Sequence, residues 1–459
     1  MDTLILHGTI VTGDARRRII ADGGLAIQGE RIVAVGKADE VRRQFPQLPA
    51  MDAQGKAVLP GFVNIHTHTV LTGLRGLVED SDLAVVYTYM TPITFVMSAD
   101  ERSALAALGC LEAIRSGTTT LVDPLRHVAT YAQAMADSGL RLFLSESCAD
   151  ALTLQIRHGS YEYSRAWGEE FLERAIALVE TWHMRDGGRV QCHIAAHAPD
   201  NCSPWMLERL LELAQKYGLR RTVHLAQSQQ EVVQVRKLHG GTPVEYLRDH
   251  RFLGPDLIAA HCLFCTPEDV TILAESGVHL AHCPASNSRR GWAGGAPMPL
   301  MLDSGVNVAL GTDNMSEDMF EAMRIGIILN RGKRGNGVDP MPADMLDWAT
   351  RNGARALGLE QDLGSLEPGQ KADLVIVNLR RPHLVPTINL ASNLVHYGQA
   401  SDMETVMVDG KLVMKDGKVL TMSEEDVLRH AQEATLSAWR RLHQQYPDIP
   451  LPAGFPGAS

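Results

Sequence analysis

Ala57-Val58-Leu59-Pro60-Gly61-Phe62-Val63-Asn64-Ile65-His66-Thr67-His68-Thr69-Val70 decides the fold. The apolar run reads as a buried strand that ends in His-x-His. Side chains at i and i+2 leave a strand on one face, so His66 and His68 converge at the strand's C-terminal end. Neutral imidazole is a preferred zinc ligand, so two rings on one point suggest a divalent cation. Alone, the pair also fits two solvated loop histidines; the later strand ends decide between these.

Downstream runs a strand–helix alternation. Candidate strands are Phe62–His66, Thr119–Val122, Arg141–Ser145, Val190–Ala195, Arg221–Leu225, Leu257–His261, Val278–His282 and Val306–Leu310. Helices between them carry clear start and stop signals. Ser98-Ala-Asp-Glu101 is a capping box with Gly117 past the end. Ser203-Pro204 opens a helix that Gly218 closes, and Thr266-Pro267 opens one that Gly277 closes. Eight such units in about 300 residues predict an α/β fold, a (β/α)8 TIM-like barrel with active groups at the strands' C-terminal ends.

The two ends of the chain answer each other. Residues 3–12 read as a strand, and 23–36 as two strands about a turn at Gly29. Ala372–Val377 is another, and Thr405–Val408 with Lys411–Met414 forms a hairpin at Asp409-Gly410. These predict a small β-sandwich domain built from both termini, residues 1–57 and 364–421, around a barrel at 58–363. The remainder, 422–459, reads as one helix, Glu424–Gln445, and a Pro-rich end.

Strand ends now matter. Strand one ends in His66 and His68, strand five in His224, strand six in His261, and strand eight in Gly311-Thr312-Asp313. A lone histidine after an apolar run is usually a core or loop residue. Four such groups at one end of one sheet are hard to explain by packing. Buried imidazole and carboxylate need partners, and a shared cation supplies one. Histidines with an aspartate suit zinc or iron. The strand-four end, Cys192-His193-Ile194-Ala195-Ala196-His197, offers no lysine to bridge a second ion, so one metal is expected. It would lower the pKa of a bound water toward neutrality, giving hydroxide. His261 and Asp313 are candidates to hold that water and take its proton; alternatively, His261 is a plain fourth ligand.

Several segments together resemble the amidohydrolase superfamily: Pro60–His68, Leu74-Arg75-Gly76, Ser116-Gly117-Thr118-Thr119-Thr120, His197-Ala198-Pro199, His261-Cys262, His282-Cys283-Pro284-Ala285-Ser286-Asn287, Gly311-Thr312-Asp313 and Gly364–Leu374. The branch is that of the triazine hydrolases and of the S-adenosylhomocysteine and nucleobase deaminases. The resemblance implies one Zn²⁺, with Fe²⁺ as the alternative, on His66, His68, His224 and Asp313. It implies that His261 orients the water and that His197 contacts substrate. The expected reaction is hydrolytic displacement of an amino group or halide from a carbon flanked by nitrogen, of cyclic amidine deaminase or chlorohydrolase type. A homodimer is expected on resemblance alone.

The chain departs from the family at His224-Leu225-Ala226-Gln227, where family deaminases carry His-x-x-Glu. Glutamine donates and accepts hydrogen bonds but relays no proton near neutral pH. Gln227 is kept as a candidate catalytic and substrate-binding residue; in one explanation Asp313 and His261 carry all the proton work and Gln227 only binds the substrate. A less demanding leaving group, or a lost catalyst, would equally account for the glutamine. Glu231 could substitute, but reads as a solvated helix face. Asn287 is a candidate substrate contact, and with His282 could order the loop beside the metal. Arg289-Arg290 reads as a surface charge pair, and Arg75 as a brace for the loop after strand one. Residues 77–97, with Tyr87, Tyr89 and methionine, suit the wall of a pocket for a flat, largely uncharged heterocycle.

Bulk properties exclude other classes. A formal net charge of −11 without a basic block argues against nucleic acid. The seven cysteines are odd in number and scattered, which suits buried thiols in a reducing compartment, and Cys262-x-x-Cys265 reads as core. No apolar run approaches ~18 residues and no leader is evident, so a cytoplasmic protein with no membrane partner is expected. Rival functions are an amide, carbamate or urea hydrolase on the same scaffold, and a catalytically silent paralogue.

Overall fold

A computed structural model describes residues 2–81, 84–291, 296–452 and 454–456. Residues 82 and 83 of the expected pocket wall, and 453 and 457–459 of the Pro-rich end, lie outside the described residues. Before the barrel come β1 (Thr3–Val11), β2 (Ile19–Gln28), β3 (Arg31–Lys37), β4 (Ala50–Asp52) and β5 (Lys56–Pro60). Then follow β6 (Phe62–Asn64), β7 (Thr118–Leu125), β8 (Arg141–Cys148), β9 (Val190–Cys192), β10 (Ile194–Ala196), β11 (Arg221–Leu225), β12 (Leu257–His261), β13 (His279–His282) and β14 (Asn307–Leu310). After the barrel come β15 (Leu374–Asn378), β16 (Met403–Val408), β17 (Lys411–Lys415) and β18 (Lys418–Val419).

The barrel runs β6-β7-β8-β10-β11-β12-β13-β14, all neighbours parallel, with β9 beside β8. It closes where the Ile65 N–H donates to the Leu310 carbonyl at 3.1 Å and Thr67 bridges Asp313. Inside, Val63, Ile65, Val122, Phe143, Ile258, Ala260, Ala281 and Ala309 form a packed filling, so the barrel is a core and not a pore. The expected fourth strand breaks in two at His193, whose N–H goes to the Leu144 carbonyl at 3.0 Å.

Ala57–Ile65, expected as one strand, is split between two sheets. β5 pairs with β15 and β1, and β6 pairs with β7. The crossing falls at Gly61, where a Cβ would lie 2.2 Å from the Thr119 side chain, so only glycine fits. The strands from both ends form one nine-stranded sheet, in the order β18-β17-β16-β15-β5-β1-β2-β3 with β4 beside β1. One of its faces buries Ile5, Ile10, Leu25, Ile27, Ile32, Val58, Leu374 and Ile376. Arg141, at the barrel end of this contact and buried, donates to Asp373 at 2.9 and 3.1 Å and also to Asp409.

The expected helix caps are in place. Helix Ala99–Arg115 carries the reciprocal Ser98/Glu101 box, and Pro267–Glu275 the Thr266/Asp269 box. Pro204–Tyr217 starts on the Ser203 side chain and stops at Gly218 with φ +64°. The last helix, Glu424–Gln445, lies on Ala99–Arg115. Its buried Trp439 donates to the Gly73 carbonyl at 3.3 Å, and its Arg441 pairs with Glu101 at 3.0 Å. Among the described residues no helix is long and apolar enough to cross a membrane.

Candidate metal centre and substrate cavity

The strand ends converge as their positions require. His66, His68 and Asp313 offer ligand atoms within 4.8 Å of one another, and so do His66, His224 and His261. His66 Nε2 lies 3.7 Å and His68 Nε2 3.4 Å from Asp313 Oδ1, and His68 Nε2 lies 3.2 Å from His224 Nε2. His224 Nδ1 faces the His197 carbonyl at 2.8 Å; a carbonyl only accepts, so Nδ1 carries the hydrogen and Nε2 presents its lone pair. His66 is fully buried and neither of its ring nitrogens has a hydrogen-bond partner. Leaving such a group unsatisfied costs about 1–3 kcal/mol. Lone pairs and a carboxylate oxygen converging without enough protons are what a cation satisfies, so the residues fit a divalent metal.

Asp313 splits its oxygens. Oδ2 accepts from the Ser286 hydroxyl and from Asn314 Nδ2 at 2.8 Å, which leaves Oδ1 turned to His66 and His68. Burial opposes its charge, but the neighbouring His66, His261 and His68 rings win and hold the carboxyl well below its usual range. Burial pulls His261 down to about 4, with Asp313 opposing, so its ring is neutral at pH 7. Its Nδ1 meets Asn287 Oδ1 at 3.1 Å, which leaves Nε2 as the free acceptor.

The backbone is strained here. Ala226, His261 and Asp313, at or just past the ends of β11, β12 and β14, have φ of 45°, 74° and 65°. Left-handed geometry costs a non-glycine residue on the order of 1–3 kcal/mol and clusters at working sites. Gly311 answers a need for close approach. A Cβ there would come 2.8 Å from the His66 carbonyl oxygen.

His68, His197, His224, Gln227, His261, Asn287 and Asp313 all line one cavity, with about 590 Å³ of empty space including its mouth; His66 lies beneath. From the expected wall, residues 77–97, Val86, Met90 and Thr91 line this cavity, whereas Tyr87 lines the second one and Tyr89 packs on Trp439. The wall includes a π-helical turn, Val86–Met90, a feature frequent at functional sites. His197 Nδ1 accepts from Asn201 Nδ2 at 2.6 Å, so its other nitrogen carries a hydrogen. A second cavity of about 1190 Å³ shares Val86, Gln227 and Arg290 with the first.

Other expectations need correction. Glu231 is not a solvated face residue; it is 1% exposed, and its oxygens accept the Ala226 and Gln227 N–H groups at 2.7 and 2.8 Å. Those amides leave β11 unpaired and need acceptors. Arg289 and Arg290 are not a surface pair: Arg289 binds Glu321 at 2.6 Å, and Arg290 lines the cavity. His282 meets Asn330 at 3.4 Å and not the metal cluster; Asn287 alone of that pair reaches it. Arg75 does brace its loop, donating to the Met315 carbonyl at 2.6 Å.

Sequence reasoning missed Ser286, Asn314 and a buried carboxylate, Glu317. Glu317 takes the Thr67 hydroxyl, Asn64 Nδ2 at 3.2 Å and Thr312 Oγ1 at 3.1 Å, locking the ends of β6 and β14 together. It also missed Arg126, a cation directly after β7; a charge at a strand's C-terminal end was a signal in the sequence.

A parallel barrel with buried histidines and an aspartate gathered at its strand ends defines a metal-dependent barrel hydrolase. The chain belongs to the amidohydrolase family, whose model, described as "Amidohydrolase family", matches residues 57–413. Residues 23–47 match a second model, "Imidazolonepropionase-like composite domain, bacteria". The 5′-deoxyadenosine deaminase of Methanosarcina mazei is 34% identical over 439 residues, covering 94% of this chain and 97% of that one. The 5-methylthioadenosine/S-adenosylhomocysteine deaminase of Moorella thermoacetica is 36% identical over 414 residues, covering 89% and 94%. A solved structure of a Xanthomonas campestris adenosine deaminase with bound zinc superposes with a TM-score of 0.86 at 27% identity, covering 95% of this chain and 98% of that one.

Proposed function

We propose that this enzyme removes an amino group, or a halide, from a small nitrogen heterocycle, using one divalent ion held by His66, His68, His224 and Asp313. The buried cluster around His66, with its unpartnered nitrogens, carries the reading. Adenosine-type deaminases among the relatives support deamination over the amide, carbamate and urea alternatives. A silent paralogue would have no reason to keep His66 orphaned at such cost.

Zinc, as in the Xanthomonas campestris structure, is the preferred ion, with iron as the alternative. When bound, such an ion brings the pKa of a coordinated water toward neutrality. The chain's own groups do the rest. His261 Nε2 accepts a proton from the attacking water and returns it to the leaving group, while Asn287 fixes its tautomer. His197 offers its N–H to a ring nitrogen. Gln227, at the junction of the two cavities, binds the ring, and the outer cavity receives any substituent on it.

The same reading takes 58–363 as the catalytic domain and the two ends, 1–57 and 364–421, as its support, with 422–459 as a separate helix and tail. It keeps the protein a homodimer in a reducing cytoplasm, in line with its unbridged cysteines. Purified protein should carry about one Zn or Fe per chain and release ammonia or chloride from some purine, pyrimidine, pterin or triazine. Metal-free, folded protein, or metal-loaded protein inert on all of them, would sink the proposal.

A further inference from the structure

The metal half of the cavity comes from barrel strands one, five, six and eight; the facing half comes from strands two, three and four. There Arg126 follows β7, Ser147 lies near the end of β8, and His197 follows β10; all three line the cavity. Arg126 is 3% exposed. Its Nε and Nη2 have no hydrogen-bond partner, and among the described residues no carboxylate lies within ion-pair distance. Its guanidinium carbon sits 5.8 Å from the Phe95 ring centre, a contact that offers no acceptor. The hydroxyls of Ser147 and Thr91, which also line the cavity, are unpartnered too.

A guanidinium donates and never accepts, and His197 also presents an N–H. This wall therefore carries an excess of donors, with only the Ser147 and Thr91 hydroxyls among these groups able to accept as well. Burial lowers Arg126 to about 10, which leaves it charged at neutral pH. A buried cation without a counter-group is costly, and a ligand that brings the missing acceptor removes that cost.

We propose that Arg126, helped by Ser147, recognises an oxygen carried on the substrate ring itself, so that the preferred substrate is an amino-oxo heterocycle and not an oxygen-free aminopurine ring. The inference rests on the deaminase reading above and narrows its substrate. An acceptor could also come from a carboxylate on a substituent, but a substituent belongs in the outer cavity, which Arg126 does not line. A site built to hydrogen-bond a substrate group rejects analogues lacking it by up to ~10⁴–10⁵-fold.

The test compares isocytosine and guanine with 2-aminopyrimidine and 2-aminopurine, in which the amino-bearing carbon is kept and the oxygen is gone. The wild type should favour the oxo member of each pair by at least ~10²-fold in kcat/KM. In Arg126→Met this ratio should fall by at least ~30-fold, mostly through KM, and uracil binding measured by calorimetry should weaken in parallel. Arg126→Lys should retain part of the preference, and Ser147→Ala serves if the Arg126 variants do not fold. Equal turnover of the paired substrates, or 5′-deoxyadenosine used as well as isocytosine, overturns this inference alone. A preference for S-adenosylhomocysteine over 5′-deoxyadenosine that Arg126→Met abolishes places the acceptor on a tail and also overturns it. Metal-loaded protein that deaminates none of these sinks the deaminase reading, and this inference with it.

Discussion

Asp313 divides its two oxygens between two tasks, and the division predicts distinct phenotypes. Asp313→Asn removes the charge opposite His66 and His68; metal should drop from about one per chain to below ~0.1, with activity down by at least ~10³-fold, read by elemental analysis and ammonia assay. His261→Asn should keep its metal and lose ~10²–10⁴-fold in kcat. Gln227→Glu should lower kcat/KM, because a new carboxylate would stand next to Glu231, which burial already pushes up in pKa. A large rise would instead mean that this position was disabled. Asp123, which accepts from Thr69 beside His68, gives a separate pH signature. Burial raises it from 3.8 to about 7, so between those values the folded chain holds a proton that the unfolded chain has released. Stability should fall as pH rises through that window, and Asp123→Asn should remove the slope, gaining on the order of 1–4 kcal/mol over wild type at pH 8 relative to pH 4. The metal-cluster histidines were legible because each ends an apolar run. Ser286 and Asn314 were not, because serine and asparagine beside a strand end look like ordinary turn chemistry.

Helix caps were the most legible elements, since Ser98/Glu101 and Thr266/Asp269 encode their own hydrogen bonds. Strand limits were less so. Ala57–Val63 is uniformly apolar because both of its sheets bury it, and nothing in the pattern marks the change of partner at Gly61. Glu231 misled for a related reason: a helix's first turn looks solvated unless the preceding loop needs acceptors. Helix Gln229–His239 thus holds the β11 loop through one carboxylate. Glu231→Gln replaces one acceptor by a donor against an N–H. It should cost ~1–3 kcal/mol in urea unfolding and raise KM, because Gln227 loses its anchor. Unchanged KM would mean that the loop is held by other contacts.

The barrel and the sheet from the two ends meet at Arg141, whose guanidinium is buried against Asp373 and Asp409. Arg141→Met takes the cation from Asp373 and leaves Asp409 only Lys371; a loss of ~3–5 kcal/mol should appear in thermal or urea unfolding, whereas a loss below ~1 would show the junction to be apolar in origin. Pairing of the two ends was legible from their short strands, but their order was not: sequence neighbours do not reveal that β5 lies between β1 and β15. That order has a consequence for a chain emerging from the ribosome. β5 is made early and its neighbour β15 more than three hundred residues later, so one side of β5 waits open through most of translation. An unpaired apolar strand edge invites association with other chains. Messages cut short before codon 374 should therefore yield fragments that cling to holdase chaperones or precipitate, even with every barrel strand already synthesised.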